Sequence, residues 1–263
     1  MTRSGRWPMA EPPAISADPV ARLRSLTQAR IGLGRAGQAL PTGAMLDFQL
    51  AHARARDAVA ARFETDGFSD AIGGRAVIEV ASRAGDPATY LQRPDLGRCL
   101  AEGYAARLVP AGDEVAFIVG DGLSATAVHA HAAALLLALF DRLPGWRIAP
   151  VVLARHARVA LGDDIGAALG VDLAVMLIGE RPGLSAPDSL GAYLTWAPRP
   201  GRQDSERNCV SNIRPPHGLG YAAAADAIVW LMTEARVRKL TGVALKDARI
   251  APEGGAPGAI AAP

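Results

Sequence analysis

Residues 114–124 read Glu-Val-Ala-Phe-Ile-Val-Gly-Asp-Gly-Leu-Ser, and their order decides the fold class. The apolar run from Val115 to Val119 predicts a β-strand. Gly120 and Gly122 permit a tight turn and close backbone approach. The next stretch, 122–140, is 19 residues without Asp, Glu, Lys or Arg, a length that touches the threshold for a membrane span. It also contains Ser124, Thr126, His129 and His131, and the strand directly precedes it. A buried helix of an α/β sheet accounts for all of these features.

Outward from this unit, strands and helices alternate. Residues 148–153 (IAPVVL) and 173–178 (LAVMLI) read as strands, and 193–196 as a further short one. A short helix over 163–169 carries Asp163 and Asp164 at its positive end, and a final helix over 221–240 ends in Arg236, Arg238 and Lys239. Upstream, 76–81 (AVIEVA) reads as a strand and 94–108 as a helix with Pro94 in its first turn. Helical spacing predicts two more helices, over 18–31 and 44–63, joined by a Gly- and Pro-rich loop. The expected organisation is a disordered tail over 1–17, a helical arm over 18–70, an α/β domain over 75–250 and a flexible tail over 251–263. Alternation of this kind implies a doubly wound, mostly parallel sheet.

Of 263 residues, half are apolar, and the formal charge is +2. The basic residues are dispersed, which argues against nucleic acid as the main partner. Two cysteines, Cys99 and Cys209, cannot form a disulfide framework or a four-thiolate metal site, and they suit a reducing compartment. The first 18 residues lack the apolar run of a secretory signal.

In doubly wound sheets, ligands bind at the carboxyl ends of the strands. Three loops are expected there: 120–124, 154–159 and Gly179-Glu180-Arg181-Pro182-Gly183. The first offers glycines and a helix N-terminus to an anionic or amide-bearing ligand; an ordinary turn is the alternative. The charged pair between glycines at 179–183 is either a functional loop or a local ion pair. Gly32-Leu33-Gly34-Arg35-Ala36-Gly37 matches a dinucleotide fingerprint, but a helix precedes it where a strand is required, so a helix–helix loop is expected. Ser124 lacks a G-x-S-x-G elbow and a base. His129 and His131 stand on different helix faces, and His52, His156 and His217 lack companions at ligand spacing, so no protein-bound metal is expected. Cys209 lies in Arg207-Asn208-Cys209-Val210-Ser211-Asn212-Ile213, read as a well-bonded loop without a base to activate a thiolate. No catalytic residue is assigned.

Several phrases together resemble the ethanolamine ammonia-lyase small (light) subunit. They are 27–37, Tyr90-Leu91-Gln92-Arg93-Pro94-Asp95-Leu96-Gly97-Arg98, Gly120 to Ser124, Gly179 to Gly183, and Cys209 to Ile213, in the family's order and spacing. The resemblance implies a Rossmann-like fold with an N-terminal helical extension, the 75–250 domain closing over adenosylcobalamin at the interface with a large barrel subunit that binds ethanolamine. It implies cofactor contacts at Val159, Glu180 and Cys209. It also implies a radical conversion of ethanolamine to acetaldehyde and ammonia, with the hard step carried by the cofactor. No Asp-x-His-x-x-Gly segment is present, so the cofactor's own benzimidazole is expected to remain its axial base. Cytoplasmic localisation follows, with enclosure in a bacterial microcompartment left open. Two other readings stand beside this one: a structural subunit with incidental cofactor contact, and a free-standing nucleotide-binding enzyme.

Overall fold

The computed structural model describes residues 20–247; the tails expected over 1–17 and 251–263 lie outside them. The chain divides into two compact units between Ala51 and His52. Seven α-helices occur among the described residues: α1 (Ala21–Arg24), α2 (Thr42–Ala60), α3 (Phe68–Ala71), α4 (Pro87–Gln92), α5 (Ala125–Phe140), α6 (Leu161–Leu169) and α7 (Tyr221–Arg238). Six strands join one sheet: β1 (Val77–Ala81), β2 (Val115–Gly120), β3 (Val151–Arg155), β4 (Leu173–Gly179), β5 (Leu190–Trp196) and β6 (Asn208–Ile213). Their order is β1-β3-β2-β4-β5-β6. The first four are mutually parallel, and β5 runs antiparallel to both of its neighbours. The protein is thus α/β with a mixed, mostly parallel sheet.

The central strand explains the layering. Every residue of β2 is buried, as a strand covered on both faces requires. Side chains alternate along it. Val115, Phe117 and Val119 join a core with Leu135 and Leu139 of α5 and Ile228 and Met232 of α7. Ala116 and Ile118 face the other way, into a core with Leu161 and Ile165 of α6. The chain therefore leaves β2 toward one face and β3 toward the other, so the loops following these neighbouring strands diverge. The 19-residue uncharged stretch is α5 with its cap, as expected. Ser124 is its N-cap: its Oγ accepts from the Ala127 amide and donates to the Pro187 carbonyl at 2.8 Å. No described helix is long and apolar enough to cross a membrane.

Three expectations need correction. The helix read over 18–31 is a single turn, α1, with no buried residue. Beyond it, the Ala29 amide bonds to Thr27 Oγ1 and the Ile31 amide to the Ala29 carbonyl, local pairings that compete with a helix. The helix read over 94–108 is absent; it lies earlier, as α4. There Asp86 caps the Ala88 and Thr89 amides and Pro87 occupies the first turn, a stronger start signal than Pro94. Only 3₁₀ turns follow, at Leu96–Arg98 and Ala105–Arg107, with Gly103 at φ +85 between them. Cys209 is not in a loop: it belongs to β6, opposite Tyr193 of β5. The polar composition of β6 suits an edge strand with one solvated face, and periodicity alone missed it.

Candidate functional site

At the carboxyl ends of β2 and β3, one carboxylate organises both loops. Asp121 accepts from its neighbour Gly122 at 2.9 Å and, across the sheet, from the amides of His156 at 2.7 Å and Ala157 at 2.8 Å. Burial pushes this carboxyl upward, while the three amides pull it back toward the ionised form. His156 adopts φ +53, a left-handed conformation uncommon outside glycine. Gly122, at φ +60, could not carry a side chain: a Cβ would lie 2.1 Å from the Gly179 carbonyl oxygen. Both loops lie at the strand ends, where the sequence pattern placed them; the carboxylate that joins them was visible only as part of a turn.

Of the three expected contact residues, Val159 and Cys209 come together. They line one cavity of about 330 Å³ with Tyr193 between them and Arg98, Arg158 and Arg207 around them. Val159 arrives on the β3–α6 loop, whose Arg158 amide is tied to the Gly97 carbonyl at 2.9 Å. Cys209 arrives on β6. Desolvation pushes its thiol above the usual value, with Glu180 adding to the rise. The sulfur is therefore a neutral thiol near pH 7, in line with the absence of an activating base.

Glu180 lies outside that cavity but adjoins its Tyr193 wall. Its backbone pairs with Ser189, and its carboxylate accepts from Ser189 Oγ, Ser211 Oγ and the Asn212 amide. A Cβ on Gly191 would meet Glu180 Oε1 at 2.9 Å and the Tyr193 ring at 3.2 Å. A side chain there would push the Glu180 carboxylate aside and crowd the Tyr193 ring. A carboxylate has about four acceptor positions; three are filled from within the chain, which leaves room for one outside donor.

Beneath the cavity runs a buried ion pair that the sequence reading assigned only to the helix dipole. Arg207 Nη1 and Nη2 donate to the two oxygens of Asp163 at 2.6 and 2.7 Å, with both side chains 2% exposed. Burial raises the Asp163 carboxyl. A guanidinium does not lose its proton in proteins, however, and two short bonds to it keep the carboxylate ionised. The remaining Arg207 donors reach Thr195 Oγ1 and the Arg202 carbonyl. A wider cavity of about 440 Å³ lies beside Asp121 and His156, walled by Phe63, Tyr90 and Leu91; none of the three expected residues lines it. His129 and His131 have separate structural partners: the Glu64 amide donates to His129 Nε2, and His131 Nδ1 lies 2.9 Å from Tyr221 Oη.

A family model described as "Ethanolamine ammonia-lyase light chain" matches residues 17–246. An ethanolamine ammonia-lyase small subunit from Bradyrhizobium diazoefficiens is 55% identical, covering 89% of this chain and 93% of the relative. One from Azotobacter vinelandii is 50% identical, covering 95% and 97%, and one from Rhodopseudomonas palustris is 56% identical, covering 86% and 88%. Matches of this extent leave one assignment: the chain belongs to the ethanolamine ammonia-lyase light-chain family.

Proposed function

We propose that this chain is the cofactor-clasping small subunit of an adenosylcobalamin-dependent ethanolamine ammonia-lyase, active only with a large subunit that binds ethanolamine. The observation that carries the reading is the convergence of Val159 and Cys209 on one cavity, with Glu180 against its Tyr193 wall. The residues suit a corrinoid, which is a broad apolar disc edged with amide arms. Val159, Tyr193 and a neutral Cys209 thiol offer apolar contact. Glu180 keeps one acceptor position for an amide N–H. The cavity is far smaller than a whole corrinoid, so this chain supplies one wall and the large subunit the rest. When bound, the cofactor supplies the radical chemistry. The chain's own residues bind and orient it and exclude water from that side.

We read the 75–250 region as a Rossmann-like, doubly wound cobalamin-binding domain; support comes from α5 and α6 packing on opposite faces of the sheet. Cytoplasmic localisation is the companion proposal, with microcompartment enclosure to be tested by fractionation. The functional test is reconstitution. The chain alone should not turn over ethanolamine with adenosylcobalamin, and adding the large subunit should restore turnover and cofactor retention. Turnover by the chain alone would overturn the reading. Turnover by the assembled complex that is insensitive to changes at Val159, Glu180 and Cys209 together would favour a structural subunit with incidental cofactor contact.

A further inference from the structure

We propose that Asp188 is a positioning residue for Glu180: held between the buried His131 and Arg214, it fixes the two backbone arms, at Ser189 and Asn212, that present the Glu180 carboxylate. This role rests on the reading of Glu180 as a cofactor contact and names the residues that act through it.

Glu180 is presented from two sides. Ser189 closes the 180–189 loop onto it, through the backbone and through Oγ, and the Asn212 amide reaches it from the end of β6. Asp188 adjoins the first arm in the chain, and Arg214 lies just beyond the second. Arg214 Nη1 stands 3.7 Å from Asp188 Oδ1, and Arg214 Nε donates to Asn212 Oδ1 at 2.9 Å. One guanidinium thus joins both arms. Asn212 sits at φ +59, a left-handed conformation that the surroundings must hold.

Helix α5 grips the same loop from the other side. The Leu123 amide donates to the Gly179 carbonyl at 3.0 Å, and Ser124 Oγ donates to the Pro187 carbonyl at 2.8 Å. About two turns further along the helix, His131 Nε2 stands 3.6 Å from Asp188 Oδ2 and makes no hydrogen bond among the described residues. His131 Nδ1 lies 2.9 Å from Tyr221 Oη. Burial, and then the Asp188 charge, push the Tyr221 phenol above its usual value, so the hydroxyl keeps its proton. It donates to Nδ1, and the ring proton falls on Nε2, toward the carboxylate. The His131 and Arg214 side chains are each 7% exposed and that of Asp188 36%. Salt screens such partly buried charges less than surface ones, so the carboxylate has a grip that an amide of the same shape lacks.

The test is a mutant cycle on the assembled complex of both subunits, with cobalamin binding read by equilibrium dialysis and ethanolamine by its KM at saturating cofactor. Asp188→Asn keeps the shape and removes the charge. It should weaken cobalamin about fivefold or more, as for coupled members of one network, and leave the ethanolamine KM unchanged. In a Glu180→Ala background the same change should weaken cobalamin no further, because the group that Asp188 positions is gone. Tyr221→Phe removes only the hydroxyl that orients His131. It should show the same coupling with a smaller loss, and it guards against a folding defect at Asp188. Losses that add independently of Glu180 would overturn the positioning role, as would unchanged cobalamin binding in Asp188→Asn. Cobalamin bound as tightly by Glu180→Ala as by wild type would overturn the cofactor reading of Glu180 instead, and the positioning role with it.

Discussion

Replacing Asp163 by Ala should destabilise the protein severely, although the residue touches no solvent. The change strips both carboxylate oxygens from a guanidinium whose side chain is 2% exposed. Of its four hydrogen bonds, only those to Thr195 Oγ1 and the Arg202 carbonyl would survive. Removing one partner of a buried pair costs about 3–5 kcal/mol, and the exposed Asp204, 3.5 Å from the Arg207 Nε, is then the one carboxylate paired with the guanidinium among the described residues. At about 2–4 °C per kcal/mol for a chain of this length, the melting midpoint should fall by roughly 6–20 °C. Replacing both residues, Asp163→Leu with Arg207→Met, removes the charge along with its partner. That variant should recover most of the loss, since a hydrophobic replacement of a buried pair is often close to neutral. Thermal unfolding of the purified full chain by circular dichroism is the assay. An Asp163→Ala midpoint within 2 °C of wild type would refute the argument. So would a double variant no better than the single one, which would mean that shape rather than charge compensation governs the site.

Glu180→Ala should weaken cofactor retention by the assembled enzyme more than ethanolamine binding, by about 1.5–3 kcal/mol for a lost hydrogen bond to a charged group; paired titrations check this, and a raised substrate constant alone would reverse the assignment. Cys209→Ala should keep turnover at saturating cofactor, with looser binding. Because the folded thiol lies above its usual value, the thiolate fraction at a given pH is reduced. Alkylation of Cys209 should therefore be slower than that of a free thiol near neutrality and accelerate only at higher pH, which mass spectrometry across a pH series measures. Asp121→Asn must present an N–H to a backbone N–H, since Oδ2 meets the His156 amide and Oδ1 the Ala157 amide. It should cost about 1–3 kcal/mol in denaturant titration, and an unchanged midpoint would show the clip to be dispensable.

The sheet was legible where strands are buried on both faces. Residues 115–119, 148–153 and 173–178 are continuous apolar runs, and β2, β3 and β4 fall on or next to them. Legibility failed at the sheet's far edge. Asn208-Cys209-Val210-Ser211-Asn212 is polar because β6 has only one covered neighbour, so it lacks the apolar run that marks a strand. Helices failed where caps were misjudged, as with Asp86 and Pro87 against Pro94. For the site, strand-end reasoning found the loops of Val159 and Glu180 but could not pair Val159 with Cys209. That pairing depends on β5 turning antiparallel and carrying Tyr193 between them. Arg207 meeting Asp163, 44 residues apart, leaves no local trace in the chain.

The bonds Asp121 makes across the sheet have a consequence in time. The amides of Gly122, His156 and Ala157 sit in loops, where hydrogen exchange is ordinarily fast, yet all three end on one partly buried carboxylate. They can open to solvent only if that clip lets go, so the turns after β2 and β3 should exchange as one cooperative unit and not as two independently fraying ends. Val159 and Arg158 ride on the second of these turns. Their wall is therefore set before any ligand arrives, so little ordering entropy is charged to binding, and the encounter does not wait on a slow loop closure from this side.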